Sequence, residues 1–163
     1  QLADLPWISL DSLISGQGSR PLMRIFGELA SSEQVSEINN LILKNFSLRR
    51  VIESVTILDT AKVINQVEQF LLRYEHLAGC DVPNDRKVAL YVHISCLIER
   101  LIRNASPSHY SGRQCPQSEL ATLREAFSVI ESGYSVKIPV VELCYIHDIL
   151  TRETEFIQED QEF

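Results

Sequence analysis

The chain has 163 residues, of which 15 are basic and 22 acidic, so that its net charge is −7. This length supports one domain, or one domain with a helical arm, and is long enough to bury a hydrophobic core. The acidic balance argues against direct contact with nucleic acid, because a nucleic-acid reader usually presents a basic patch. The longest apolar run is about 11 residues, too short to cross a bilayer.

The N-terminal part of the chain predicts short helices followed by a longer one. Pro21 suits the first position of a helix that runs to about Ala30. After a cap at Ser31, apolar residues recur at helical spacing over 35–55, with Asn45 as a candidate break.

The middle of the chain predicts two further helices. Asp59 is a good N-cap for a helix with a long apolar stripe, and Gly79 is a suitable stop. The next helix opens near Pro83, and the Ser-, Pro- and Gly-containing segment 104–112 that follows it predicts a loop.

The C-terminal part predicts two last helices. Pro116 begins one that ends at Gly133, and Pro139 begins another that reaches about Arg152. The sequence contains neither a hairpin signal nor a run of strict alternation. The prediction is therefore an all-α fold, a helical bundle of about five core helices with an N-terminal helical arm.

Residues 88–102 form the most informative segment, a helix that is apolar on almost every side and carries one imidazole, His93. Positions seven apart nearly coincide in angle on a helix, so Arg86, His93 and Arg100 lie along one line. A cationic line centred on an imidazole is what a transient phosphoryl group would need. The alternative is a polar stripe facing solvent, with His93 as an ordinary boundary residue.

A second apolar helical segment, 139–150, places His147 among aliphatic neighbours. Glu142 lies near the start of this helix, where a carboxylate is favourable for dipole reasons alone. The alternative interpretation of His147 is a core histidine whose ring is satisfied by a neighbour.

The cysteines allow a further alternative. Four are present without any Cys-x-x-Cys pair, which favours a reduced, cytoplasmic protein. Cys96 lies three residues from His93, and Cys144 three residues from His147, so the two pairs could together bind zinc. This spacing is permissive rather than diagnostic, because such neighbours are common in any helix.

The two histidine segments together resemble a known family. Val88–Leu101, with Arg100 seven residues after His93, resembles the first histidine motif of the phosphotransferase-system regulation domain. Val140–His147, in which a glutamate precedes the histidine by five positions, resembles the second. The segment 41–58 is similar to the one that leads into the C-terminal regulation domain of sigma-54-dependent sugar-operon activators of the levan-operon type.

The resemblance implies a non-catalytic regulatory domain of a transcriptional activator, without a cofactor. The phosphocarrier protein HPr, or a sugar-specific IIB component, would phosphorylate His93 or His147, with Arg100 and Arg86 supporting the phosphate. It also implies a homodimer, with no membrane segment and no direct nucleic-acid contact by this fragment. The expected organisation is an arm or linker at 1–45, the regulation domain at 46–158 and an acidic tail at 159–163.

The sequence departs from the family pattern at one position and leaves one broader alternative. Many members carry Asp immediately before the first histidine, whereas this chain has Val92. The broader alternative is a helical protein-interaction module whose histidines are structural and are not phosphorylated.

Overall fold

The computed structural model describes residues 8–15, 19–54, 58–112 and 115–152, and these contain seven helices and no strand. The helices are α1 (Leu10–Ser15), α2 (Arg20–Phe26), α3 (Ser32–Ser54), α4 (Thr60–Ala78), α5 (Asn84–Ile102), α6 (Gln117–Tyr134) and α7 (Val140–Thr151). The predicted all-α fold is confirmed, since α3 to α7 form the bundle and α1 and α2 form the arm. The predicted tail at 159–163 lies outside the described residues.

Single residues set the two ends of α4, as the sequence predicts. The carboxylate of Asp59 accepts hydrogen bonds from the backbone N–H groups of Ala61 and Lys62, at 2.9 and 3.2 Å. Gly79 ends the helix with φ +66°, a left-handed conformation that glycine adopts without a steric penalty. Both ends of this helix are therefore local properties of the sequence.

Two local predictions differ from the structure. The break expected at Asn45 is wrong, because α3 continues through it and the Asn45 side chain donates to the carbonyl of Leu41 at 2.8 Å. Packing explains the continuity, since Leu43 and Val51, on either side of Asn45, are both buried. Helix α6 also continues past Gly133, where it was expected to stop, and ends at Tyr134, with Ser135 as its left-handed C-cap at φ +53°.

The hydrophobic core surrounds α5, which packs against α3, α4 and α7. Burial on several sides explains why this helix is apolar almost all round. Across the bundle, the rings of Phe70 on α4 and Phe127 on α6 lie 4.2 Å apart and are almost fully buried. Within the part of the chain that the structure describes, no helix is both long and apolar enough to span a membrane.

The arm joins the bundle through buried amides. The side chain of Asn84, at the start of α5, donates to the carbonyl of Leu13 at 2.7 Å. The amides of Asn84 and Asn39 also exchange hydrogen bonds at 3.2 Å, which ties α3 to the same point. The domain boundary expected after residue 45 falls within the continuous helix α3.

Removing the cap of α4 tests the local part of this description. We expect Asp59→Ala to lower the free energy of unfolding by about 1 kcal/mol, because two backbone N–H groups lose their acceptor. Urea denaturation followed by circular dichroism measures the change. Asp81→Ala, which removes an exposed aspartate in the following loop, is the control, and an equal loss in both variants would contradict the assignment.

Candidate functional site

A groove runs between α5 and α7, which lie antiparallel and are joined near both ends. Arg86, at the start of α5, donates to the backbone carbonyls of Leu150 and Arg152 at the end of α7. Arg100, near the end of α5, pairs with Glu142 near the start of α7. The arginines at each end of the predicted line are therefore the residues that hold the two histidine helices together.

The contact between Arg100 and Glu142 is bidentate. Nε and Nη2 of the guanidinium donate to the two carboxylate oxygens at 3.1 and 2.8 Å. Glu142 is completely buried, and a buried carboxylate is stable only with strong hydrogen-bond partners. Its hydrogen bond raises the pKa of Arg100, so this cation is permanent.

His93 lies midway along the groove and is exposed to solvent. Although its surface is open, the protein around the ring partly desolvates it, which lowers the pKa of His93. The positive charges of Arg100 and Arg152 lower this pKa further. At neutral pH the imidazole is therefore mainly uncharged and retains a lone pair, as a nucleophile requires.

His147 occupies a different environment. It is only 8% exposed and turns toward α6, where its Nε2 lies 2.5 Å from a carboxylate oxygen of Glu119. Its other ring nitrogen, Nδ1, is buried and has no partner among the described residues. The structure therefore places the two predicted histidines in contrasting settings, one open in the groove and the other closed against α6.

Three contacts of this region are not predicted from the sequence. Glu119 contacts His147 across 28 positions of sequence. Tyr110, in the loop between α5 and α6, donates to the carboxylate of Asp148 and packs edge-on against Tyr145, with ring centroids 5.0 Å apart. No sequence signal identifies these partners, because each pair comes from different elements.

The loop reaches α7 closely at one glycine. A Cβ atom at Gly112 would lie only 2.1 Å from the hydroxyl oxygen of Tyr110 and 2.8 Å from a carboxylate oxygen of Asp148. A side chain at this position would therefore displace the Tyr110 hydroxyl from its contact with Asp148.

The zinc alternative receives no support from the part of the chain that the structure describes. These residues include no group of three or more His, Cys, Asp or Glu side chains placed to hold a metal ion. Burial raises the pKa of the Cys96 and Cys144 thiols.

The two predicted histidines thus lie on helices of an all-α bundle that Arg86 and Arg100 hold together beside a solvent-open groove. The chain matches the PRD domain family over residues 68–153, more than half of its length, and it belongs to that family. Domains of this family interact with phosphotransferase-system components in general.

The chain is also similar to a curated regulator. It is 24% identical over 159 residues to the transcriptional regulatory protein DagR of Salmonella typhimurium (strain 14028s / SGSC 2262). The match covers 91% of this chain but only 17% of the relative, so the chain spans about a sixth of that protein's length. No solved structure matches the chain.

Removing the buried carboxylate of Glu142 tests how much its pair with Arg100 stabilises the fold. We expect Glu142→Ala to lower the free energy of unfolding by about 2 kcal/mol, less than for a fully buried pair because the Arg100 side chain is 38% exposed. Chemical denaturation measures this loss. The exposed pair of Arg73 and Glu125 provides the control, since Glu125→Ala should cost under about 1 kcal/mol.

The electrostatics of the groove predict the titration of His93. Its midpoint, followed by NMR of the ring protons, should lie below the value of about 6.5 for unperturbed histidine. Arg152→Ala should move the midpoint upward, because a nearby positive charge no longer opposes protonation. An unchanged midpoint in that variant would show that Arg152 does not act on the ring.

Proposed function

We propose that this chain is a regulatory domain of a bacterial transcriptional activator, phosphorylated on histidine by phosphotransferase-system proteins to control transcription of a sugar operon. The observation that carries the proposal is His93, an exposed imidazole with a lowered pKa, set between two arginines in the groove. Membership of the PRD domain family and similarity to a transcriptional regulatory protein support it.

The proposed reaction is phosphoryl transfer between imidazoles. The donor is a phosphohistidine on HPr or on a IIB component. Its N–P bond breaks as a nitrogen of His93 forms a new one, and the leaving nitrogen of the donor recovers its lone pair. Because the His93 ring is largely neutral at physiological pH, no proton has to be removed before the lone pair attacks.

The arginines at the ends of the groove supply the positive charge. The Arg100 guanidinium uses Nε and Nη2 for Glu142, which leaves Nη1 available to a phosphoryl oxygen. Arg86 holds the backbone carbonyls of Leu150 and Arg152, so contact with a phosphate would compete with those bonds. Phosphorylation of His93 would thereby pull on the contacts that align α5 with α7.

Hydrogen bonds between arginines and a phosphoryl group are strong enough to shift a two-state equilibrium. Moving a two-state equilibrium from 1:99 to 99:1 requires a differential of about 5.5 kcal/mol. Two or three charge-assisted hydrogen bonds, at roughly 1.5–3 kcal/mol each, supply that amount. The added charge would shift the equilibrium between two arrangements of α5 and α7, because the contacts of Arg86 and Arg100 with α7 hold these helices in one of them.

The wider assignment also belongs to the proposal. We infer a homodimeric, cytoplasmic activator of the sigma-54-dependent, levan-operon type, in which the regulation domain follows an N-terminal arm. The match over 91% of this chain but 17% of a transcriptional regulator supports a domain within a larger protein. DNA binding and nucleotide hydrolysis would then lie outside this fragment.

A second candidate function is a helical interaction module with structural histidines. The contact between His147 and Glu119 favours it for that histidine, because a buried ring bonded to a carboxylate is typical of a stabilising role. The exposed position of His93 does not share this feature.

Phosphorylation in a purified system tests the proposal. The chain is incubated with phosphoenolpyruvate, enzyme I, HPr and a IIB component, and its intact mass is measured. We expect an acid-labile gain of one phosphoryl group that His93→Ala abolishes. His109→Ala, which removes the exposed histidine of the loop, is the matched control and should retain the gain.

Two outcomes would count against the proposal. No gain with any donor would leave the interaction module as the better account. A gain that survives in the double variant His93→Ala/His147→Ala would show that phosphorylation occurs at a residue outside both motifs.

A further inference from the structure

We propose that Glu119 decides which histidine accepts a phosphoryl group, because it holds His147 in a non-accepting state until its carboxylate moves away. The inference rests on the proposed function and deepens it. It makes His93 the site open to a donor in this structure and His147 a site that must first be uncovered.

The contact between Glu119 and His147 fixes where the ring proton lies. A carboxylate can only accept hydrogen bonds, so the His147 nitrogen at 2.5 Å from it must carry a proton. Whether the ring is neutral or charged, Nε2 therefore has no lone pair to offer. A nitrogen without a lone pair cannot attack phosphorus.

The second nitrogen of His147 does not compensate. Nδ1 is buried and makes no hydrogen bond with any described residue, so an incoming phosphoryl group cannot reach it while α7 stays packed. The ring therefore has no nitrogen that is both reachable and unprotonated. His93 differs on both counts, because it is exposed and its pKa is lowered.

Glu119 is placed so that it can leave. Its side chain is 50% exposed and lies in the first turn of α6, so its carboxylate can rotate into water without leaving a buried charge. The alternative route, exposure of the His147 Nδ1 atom, would require α7 to separate from the bundle in which it is buried. Opening through Glu119 is the less costly route.

The transfer that follows opening is balanced. Once the carboxylate has left, the Nε2 proton passes to water. If the ring carried a second proton, that proton stays on Nδ1, and if it did not, Nδ1 takes one from water, so that the neutral ring has its single proton on Nδ1 and a lone pair on Nε2. The Nε2 lone pair then forms a bond to phosphorus as the donor's N–P bond breaks and the donor imidazole recovers its lone pair. The phosphoryl group would occupy the position that the Glu119 carboxylate held, and two anions cannot share it.

The experiment measures modification of His147 alone. In a His93→Ala background, the chain is treated with phosphoramidate, a small phosphoryl donor, and separately with phosphorylated HPr. Peptide mapping reads the rate at His147. We expect Glu119→Ala to raise this rate roughly tenfold or more, the factor expected when a hydrogen bond to a charged group no longer has to be broken.

A matched control and a conservative variant accompany it. Glu125→Ala removes another exposed glutamate of α6, one that pairs with Arg73 rather than with a histidine, and it should leave the rate unchanged. Glu119→Gln keeps the size of the side chain but weakens the contact, and it should give an intermediate rate. Thermal melts followed by circular dichroism confirm that each variant is folded.

The outcomes separate this inference from the proposed function. A rise with phosphoramidate but no transfer from phosphorylated HPr, either in this background or to the unsubstituted chain, would uphold the role of Glu119 and count against HPr as donor. Equal or slower modification in both Glu119 variants would overturn the inference, because the carboxylate would then be neutral or helpful. That result would leave phosphorylation of His93 unaffected.

Discussion

The structure depends on the bidentate pair between Arg100 and Glu142. A completely buried carboxylate is costly without a partner, so this pair holds α5 and α7 at one end of the groove. Arg86, bound to the carbonyls at the end of α7, fixes the other end. His93 lies between these two points, and its access to solvent and its nearby positive charges both follow from the alignment they impose.

Environment rather than residue type separates the two histidines. Both lie on apolar helices of a similar pattern, yet His93 is exposed beside cations while His147 is buried against Glu119. An imidazole that keeps its lone pair in reach of solvent can act as a nucleophile, whereas one committed to a carboxylate cannot. The two histidines of this chain therefore differ in whether a ring nitrogen is open to solvent.

The sequence predicts the local features of this fold well. Asp59 and Gly79 end α4 as expected, and helical geometry alone places Arg86, His93 and Arg100 along one line. The break at Asn45 was wrong because buried neighbours on α3 outweigh the local preference of one residue. The contacts of Glu119 and Tyr110 could not be predicted, because they join elements far apart in sequence and depend on how the helices pack.

The first turn of α5 contacts both the N-terminal arm and the end of α7. Asn84 binds the arm and α3 there, and Arg86, two residues later, binds the last carbonyls of α7. Two residues correspond to about 3 Å along a helix axis. The far end of the groove and the attachment point of the arm thus share one short, rigid junction, so a shift of α7 there would be transmitted directly to the N-terminal helices.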